Sequence, residues 1–439
     1  MGFKKEKFKK LIEHKSGYTW SKEQELDKFE PKTVRVLTVT NIQEKLDLNS
    51  ELYLKDVKVK DRIEKSVSKN WTIAVSSNGN RKRIGNAIFI SDDTDYLFAS
   101  FLTAFKPKYD ADITPEYFFQ WFSSYFVQGR ITSVSEGTTG LGNLDIRYLR
   151  NMDIEYPDNM AEQTAIASIL SKVDEAIQAT QNSIKAAEKL KRGLMQNLLS
   201  GKLKPDGSWR NEDEFYKDEK FGNVPKGWDY VKLRDVCTKP GEYGANASAI
   251  PFEEGFPRYI RITDIDDFGN LIEEGKVGIE LDKAKNYILN EDDFLFARTG
   301  DTVGKSLLYK EKMGKAAYAG YLIKFTFNKQ LILPEYFNLI AKSDFFEAFK
   351  VAMKRVGAKP NINSREYSSF KFIVPKNIDE QQVIYNKIKP FEEEKKCKET
   401  KIKKLQKLKK SLMQNLLTGK VRVDVEKTNQ IFNEISKVL

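Results

Sequence analysis

Two long stretches of the chain place apolar residues three and four positions apart, the spacing that gathers them on one face of an α-helix. In the first, Ile166, Leu170, Val173, Ile177, Thr180, Ile184, Ala187, Leu190, Leu194 and Leu198 form the stripe. In the second, Ile384, Ile388, Phe391, Lys395, Lys398, Ile402, Leu405, Leu408, Leu412 and Leu416 hold the matching positions, with Lys395 and Lys398 weakening its middle. Gly201 and Gly419 follow within a few residues, as helix stops do. Pro390 has no amide hydrogen to donate and is expected to start or kink the second helix. Two such stripes in one chain most simply bury each other as a coiled coil. Ile184, Leu190, Leu194 and Leu198 would then share a seam with Ile402, Leu405, Leu408, Leu412 and Leu416. The alternative is that each helix covers only its own domain.

The two stripes belong to a larger repeat. KLKRGLMQNLLSGK at Lys189–Lys202 returns as KLKKSLMQNLLTGK at Lys407–Lys420, identical at eleven of fourteen positions and displaced by 218. The same displacement carries Pro157 onto Pro375, Glu162 onto Glu380, Gln163 onto Gln381 and Asp206 onto Asp424. ITPEYF at Ile113–Phe118 is echoed by ILPEYF at Ile332–Phe337, and VLTVTNI at Val36–Ile42 more faintly by YIRITDI at Tyr259–Ile265. Ordered matches with a slowly drifting displacement mean that one unit occurs twice, and two-fold symmetry between the copies would make the helix pair antiparallel. Ahead of each helix lie short β-rich runs (TVRVLTV, NAIFI, FLFAR, YLIKFTF), turn signals and the helical PEYF segment. The expected fold class is therefore α/β (α+β): two mixed globular domains joined by two long helices. The expected division is 1–157 for the first domain, 158–202 for its helix, 203–223 for a linker, 224–375 for the second domain, 376–424 for its helix and 425–439 for a tail.

Composition narrows the chemistry. The chain has 439 residues, too many for one ordinary core. A net charge of +11 favours an acidic partner such as nucleic acid. His14 is the only histidine, and Cys237 and Cys397 are the only cysteines. Counting alone thus argues against a serine–histidine triad, a histidine-rich metal site and a disulfide framework; no pair of carboxylates is placed in a way that implies acid/base work, and neither catalytic nor metal-ligating residues are expected. No apolar run approaches the ~20 residues of a membrane span, and a reduced cytoplasmic compartment is the simple expectation. GDTVGKS at Gly300–Ser306 imitates a phosphate loop, but only three residues separate its glycines, one too few. The LLYKEK that follows reads as a strand, whereas such a loop must open a helix. A strand–turn–strand is expected there, with a counterpart in SSNGNRKRIGNAIFI.

Met195, Gln196, Asn197 and Leu199 lie beside the stripe, yet recur unchanged as Met413, Gln414, Asn415 and Leu417 while the mixed domains diverge. Either the patch docks two copies of one partner, with Met195, Gln196, Met413 and Gln414 as the docking residues, or it packs on the base of its own domain. Lys395–Arg422 carries eleven Lys or Arg against the single Glu399. That run is either a solvated helix face or a surface for an acidic partner.

The paired Pro157 with Glu162 and Gln163, Pro375 with Glu380 and Gln381, and the LMQNLL helix ends resemble the specificity subunit of a type I restriction–modification enzyme. VPKGWDYVKLRDV at Val224–Val236 resembles the lead-in of that family's second domain, and RTGDTVGKSLLY at Arg298–Tyr309 a turn such domains carry. The first copy lacks the Pro-Lys-Gly-Trp lead-in, and its Ser16–Trp20 loop is only loosely similar. The resemblance implies two target-recognition domains, each reading one half of a split, asymmetric site in double-stranded DNA, with the helices as spacer. It implies two modification subunits that bind S-adenosylmethionine and methylate adenine N6, joined by ATP-driven, Mg2+-dependent restriction subunits. No cofactor is expected on this chain. Base reading needs forked donors and amides, which makes Asn78, Arg81, Lys82, Arg83, Arg298, Thr299, Lys305, Lys359 and Asn361 the candidates. The rival readings are a nucleotide-dependent enzyme using the Gly300 loop and a coiled-coil adaptor with protein-binding domains.

Overall fold

The structure is a computed structural model that describes residues 2–43, 45–135, 142–219, 221–353 and 360–438, the last seven of these by backbone alone. The chain separates into two compact units, Met1–Gln181 with Glu399–Leu439, and Asn182–Lys398. Each unit therefore combines one mixed domain, the first part of the helix that follows it, and the last part of the other copy's helix.

In the first unit a four-stranded antiparallel sheet runs in the order Ile12–Ser16, Leu102–Pro107, Thr72–Val75, Ala87–Phe89. The second unit repeats that order with Glu242–Tyr243, Leu322–Phe325, Phe294–Ala297 and Ser306–Leu308. In a neighbouring sheet Val34–Leu37 pairs in parallel with Tyr96–Phe98, and Arg258–Ile260 in parallel with Ala316–Tyr318. The faint echo of VLTVTNI in YIRITDI thus marks the same strand twice. The PEYF segments are the helices Pro115–Phe122 and Pro334–Ile340, each with Pro in the first turn, where a missing amide hydrogen costs nothing. Their Tyr117, Phe118, Tyr336 and Phe337 are buried in aromatic-rich cores.

The first copy does contain the lead-in strand that its sequence hides. Phe3–Lys7 pairs antiparallel with Asp153–Pro157 as Trp228–Lys232 pairs with Lys371–Pro375, so Phe3 stands where the second copy has Trp228. The segment expected as a linker is also built. Phe215–Asp218 and Gly222–Pro225 form a hairpin, and Arg210 donates to Glu380 at 2.7 Å while its guanidinium covers Trp228 at 5.4 Å. The first unit has the same trio from different positions: Arg422 donates to Glu162 at 2.8 Å and covers Phe3 at 5.5 Å. The Arg422 hydrogen bond holds the Glu162 carboxyl below the usual carboxylate range. The tail is the helix Val425–Val438.

The long helices are Met160–Leu199 and Ile378–Leu416. The second does not start at Pro390 but runs through it. Ile384 and Ile388, six and two residues earlier, are fully buried in the unit's core, and that packing offsets the ~3 kcal/mol a helical proline costs. The helices are antiparallel within each unit: Glu188 meets Lys395 at 2.5 Å and Lys191 meets Glu392 at 2.8 Å in the second, and Asp174 meets Lys409 at 2.6 Å in the first. Leu198 and Leu416 are buried and Ile184, Leu194, Ile402, Leu405 and Leu412 partly so. Leu190 and Leu408 are not seam residues, being 63% and 47% exposed. Lys191 and Lys409 turn toward the neighbouring helix in their place, drawn by Glu392 and Asp174.

Met195 and Met413 also differ from the docking expectation, since both are buried. They do not cover their own domains either. Met195, Leu198 and Leu199 join the core of the second unit with Val224 and Trp228, and Met413, Leu416 and Leu417 join the core of the first with Ile166 and Leu170. Each helix end is thus a core element of the other copy's domain.

The repeated Gln explains its own recurrence. The Gln163 carboxamide donates to the carbonyls of Asp112 and Pro157, both at 2.8 Å, and accepts from the Thr114 amide at 2.7 Å. Gln381 does the same for Leu331 at 3.0 Å, Pro375 at 2.8 Å and Leu333 at 2.8 Å. Gln381→Leu leaves these main-chain groups unanswered in a dry site, at about 1–3 kcal/mol for each group stranded. Urea unfolding of the variant is expected to lose about 3 kcal/mol or more, and a midpoint within error of the wild type would refute the assignment.

Candidate nucleic-acid interface

The turn that carries most of the candidates is built twice on one plan. In the second unit the Gly304 amide donates to the Ala297 carbonyl at 3.0 Å and the Ala297 amide to the Lys305 carbonyl at 2.9 Å. In the first, Gly85 donates to Val75 and Val75 to Asn86, both at 2.9 Å. Gly85 and Gly304 adopt φ of 86° and 84°, where a side chain would be strained. The enclosed loops differ in length, 76–84 against 298–303, and each contains a short 3-10 turn, Arg81–Arg83 and Gly300–Thr302. The chain after Gly304 is the strand Ser306–Leu308, so GDTVGKS opens no helix. The Tyr367 hydroxyl, its pKa raised by burial, donates to the Ala297 carbonyl at 2.7 Å and accepts from the Gly304 amide at 3.1 Å.

A segment from further along the chain lines each turn. Ser77–Asn78 pairs with Gly142–Asn143, and the Leu144 amide donates to the Ser76 carbonyl at 2.8 Å. In the second unit Thr299 bridges Asn361 and the Ile362 amide donates to the Arg298 carbonyl at 2.9 Å. Asn143 is therefore the structural counterpart of Asn361. On the opposite side the Phe101 carbonyl accepts from Ser76 at 2.8 Å, and the Tyr321 carbonyl from Arg298 at 3.0 Å. Each unit presents a rim of three segments with the variable turn in the middle. The Ser16–Trp20 loop is part of the same plan: Tyr18 bridges Ala99 as Ala245 bridges Ala319. The preceding Gly17 and Gly244 lie so close that an added Cβ would fall 2.0 and 2.4 Å from the carbonyl oxygens of Ala99 and Ala319.

The candidate side chains have separate roles within these rims. The Arg298 guanidinium lies over the half-exposed Tyr243 ring at 4.8 Å, and its buried Nε has no hydrogen-bond partner among the described residues. Thr299 and Asn361 flank it, and Asn361 is exposed. Arg81 and Lys82 are exposed in the first turn. The Asn78 side chain accepts from the Asn80 amide at 2.8 Å, shaping the turn from within. Arg83 and Lys305 differ from their expected part. Arg83 donates to the carbonyls of Val39 and Ile42 at 2.9 and 2.6 Å. Lys305 donates to the carbonyl of Ile265 at 3.3 Å and pairs with Asp267 at 2.8 Å, and that hydrogen bond lowers the Asp267 pKa. Ile42 and Ile265 end the two echoed segments, so these cations tie the turn to the same neighbouring carbonyl from different chain positions. Lys359 lies outside the described residues.

Residue patterning alone passed over Tyr243, Phe101, Tyr321 and Asn143. Asn143 carried a signal, because it precedes Asn361 by the displacement of 218 that relates the helices. Tyr243 carried none, since its position in the first copy is Ser16.

A family model described as the type I restriction modification DNA specificity domain matches residues 2–189 and again residues 225–407. The MjaVIII type I restriction enzyme specificity subunit of Methanocaldococcus jannaschii is 24% identical over 311 residues, covering 69% of this chain and 70% of that protein. The putative MjaX specificity subunit of the same organism is 22% identical over 425 residues, covering 91% and 89%. Among solved structures, the S subunit of a type I restriction–modification system from M. genitalium aligns with a TM-score of 0.57 at 16% identity, covering 94% of this chain and 96% of that one. A chain from a structural study of type I R-M complex assembly and conformational transition aligns with a TM-score of 0.52 at 12% identity, covering 96% and 98%. In the described residues no helix is long and apolar enough to cross a membrane. With two matched domains covering most of its length, the chain belongs to the type I restriction–modification DNA specificity family.

Proposed function

We propose that the chain is the non-catalytic reading subunit of its complex, each rim reading one half of a split, asymmetric site in double-stranded DNA. The observation that carries this reading is the rim itself, built twice on one backbone plan around turns that differ in length and side chains. A duplicated scaffold with divergent turns suits two different half-sequences. In the second unit Arg298, flattened against Tyr243, is poised to fork onto guanine O6 and N7, with Thr299 and Asn361 beside it. Arg81, Lys82 and Asn78 take the corresponding place in the first. Two modification subunits, holding S-adenosylmethionine, supply adenine-N6 methylation. Restriction subunits using ATP and Mg2+ join them in the cytoplasm.

The decisive measurement is a map of methylated adenines in a host carrying this chain with its modification partners. Arg298→Ala should relax one position of one half-site, at ~1–3 kcal/mol, and leave the other half intact. A change in both half-sites from this one substitution contradicts the two-reader arrangement. Failure of the assembled complex to prefer any sequence would favour a protein-binding adaptor instead.

The helix pair serves as the ruler for the unread gap. Seven residues added after Ala187 and seven after Lys395, which face each other in the antiparallel pair, keep the seam nearly in phase. They lengthen the pair by about 10 Å. At ~3.4 Å per base pair the gap should grow by about three pairs, with both half-sequences kept. Methylated sites at the old spacing would dismiss the ruler.

The docking surface moves from the buried Met195 and Met413 to the exposed side of the same helix ends. There Leu190 recurs as Leu408, flanked by the exposed Lys189 and Arg192 in one copy and Lys407 and Lys410 in the other; Gln196 and Gln414 follow nearly two turns on, and Gln414 accepts from the Tyr125 hydroxyl. A repeated exposed leucine ringed by cations suits two copies of one partner with an acidic rim. Leu190→Asp together with Leu408→Asp should leave the melting curve intact and weaken capture of the modification subunit at least tenfold, read by titration calorimetry. Full-strength assembly would remove these leucines from the interface.

A further inference from the structure

Two readers of different half-sequences have one ligand feature in common, the sugar–phosphate backbone. Side chains that recur in both rims, in the same place and without a task in the fold, are therefore candidates for gripping it. Two positions meet this test. Phe101 and Tyr321 sit at the tips of equivalent turns and are 56% and 61% exposed. Asn143 and Asn361 are exposed on the other side of the variable turn, and neither carboxamide has a hydrogen-bond partner among the described residues. Between the pairs the chain has changed in length and in nearly every side chain, from SSNGNRKRI to RTGDTV. The pairs have kept their places through main-chain hydrogen bonds to that turn, at Ser76 and Arg298. An exposed ring and a free amide on opposite edges of a loop do nothing for the core. They suit a ligand that is part apolar and part anionic, as deoxyribose and phosphate are.

We infer that Phe101 with Asn143, and Tyr321 with Asn361, form a constant clamp on the DNA backbone. Each carboxamide donates an N–H to a phosphate oxygen, and each ring packs on a nearby deoxyribose. The clamp fixes the register in which the variable turn meets the base edges, the division of labour by which phosphate contacts position and base contacts specify. The inference rests on the reading of the rims as DNA interfaces.

The test uses the complex of this chain with its modification subunits. Its affinity is measured for a duplex carrying both half-sites and for duplexes with either half scrambled. Asn361→Ala and Tyr321→Ala should each weaken binding roughly two- to tenfold on every duplex. The ratio of intact to scrambled affinity should not change, nor the dependence on salt, because neither side chain is charged. Asn143→Ala should behave alike, Tyr321→Phe should bind as the wild type does, and all four should melt as the wild type does. A fall in the ratio at one half-site would make the residue a base reader and overturn the clamp. Unchanged affinity on all duplexes, with a wild type that still discriminates, would overturn the clamp alone. A wild type that fails to discriminate would overturn the DNA-reading rims together with it.

Discussion

A buried carboxamide that answers three main-chain groups at once holds each unit together at its base. Gln163 and Gln381 join the last strand of the mixed domain, the loop ahead of the PEYF helix and the first turn of the long helix. No other side chain of that size offers two donors and an acceptor in one plane. The strand, the loop and the helix arrive from separate parts of the chain, and the amide sets the angle at which the helix leaves. The adjoining Glu162 and Glu380 add an arginine that covers Phe3 or Trp228. The rims at the far end of the sheets inherit their placement from this junction.

The helix ends show the same economy. A segment of identical sequence, LMQNLL, fills equivalent gaps in two cores that otherwise differ. Each shares its core with the first turns of the other copy's long helix, Ile166 and Leu170 in one unit and Ile384 and Ile388 in the other, which hold equivalent positions in the repeat. Duplication thus left two kinds of surface: one constrained by mutual packing and hence unchanged, and one free to diverge.

Much of this was legible in the residues. The spacing of Ile166 to Leu198 and of Ile384 to Leu416 announces two helices, the displaced LMQNLL announces the duplication, and the short spacing of Gly300 and Gly304 rules out a phosphate loop. Three features were hidden, each for a physical reason. Leu190 fits the apolar stripe, but its neighbour Lys191 is pulled inward by Glu392, a long-range pair that local spacing does not contain. Pro390 lies mid-helix because buried Ile384 and Ile388 hold the preceding turn. Phe3 and Trp228 share one position because strand pairing, not side-chain identity, defines it. In the rims, Arg83 and Lys305 looked like Arg298, since sequence does not tell a cation facing solvent from one spent on a carbonyl.

The way the variable turn is closed has a consequence for how such a molecule can change. Val75 with Gly85, and Ala297 with Gly304, are joined through amides and carbonyls, and the lining segment attaches through the carbonyls of Ser76 and Arg298. Apart from the two glycines, that closure asks nothing of the side chains in between. Substitutions at its exposed positions, such as Lys82 and Asp301, leave that closure intact, and two lengths are already present in one chain. On the proposed reading of the rims, a turn can therefore change what it presents while the backbone that holds it stays the same, and evolvability is lodged in the peptide backbone.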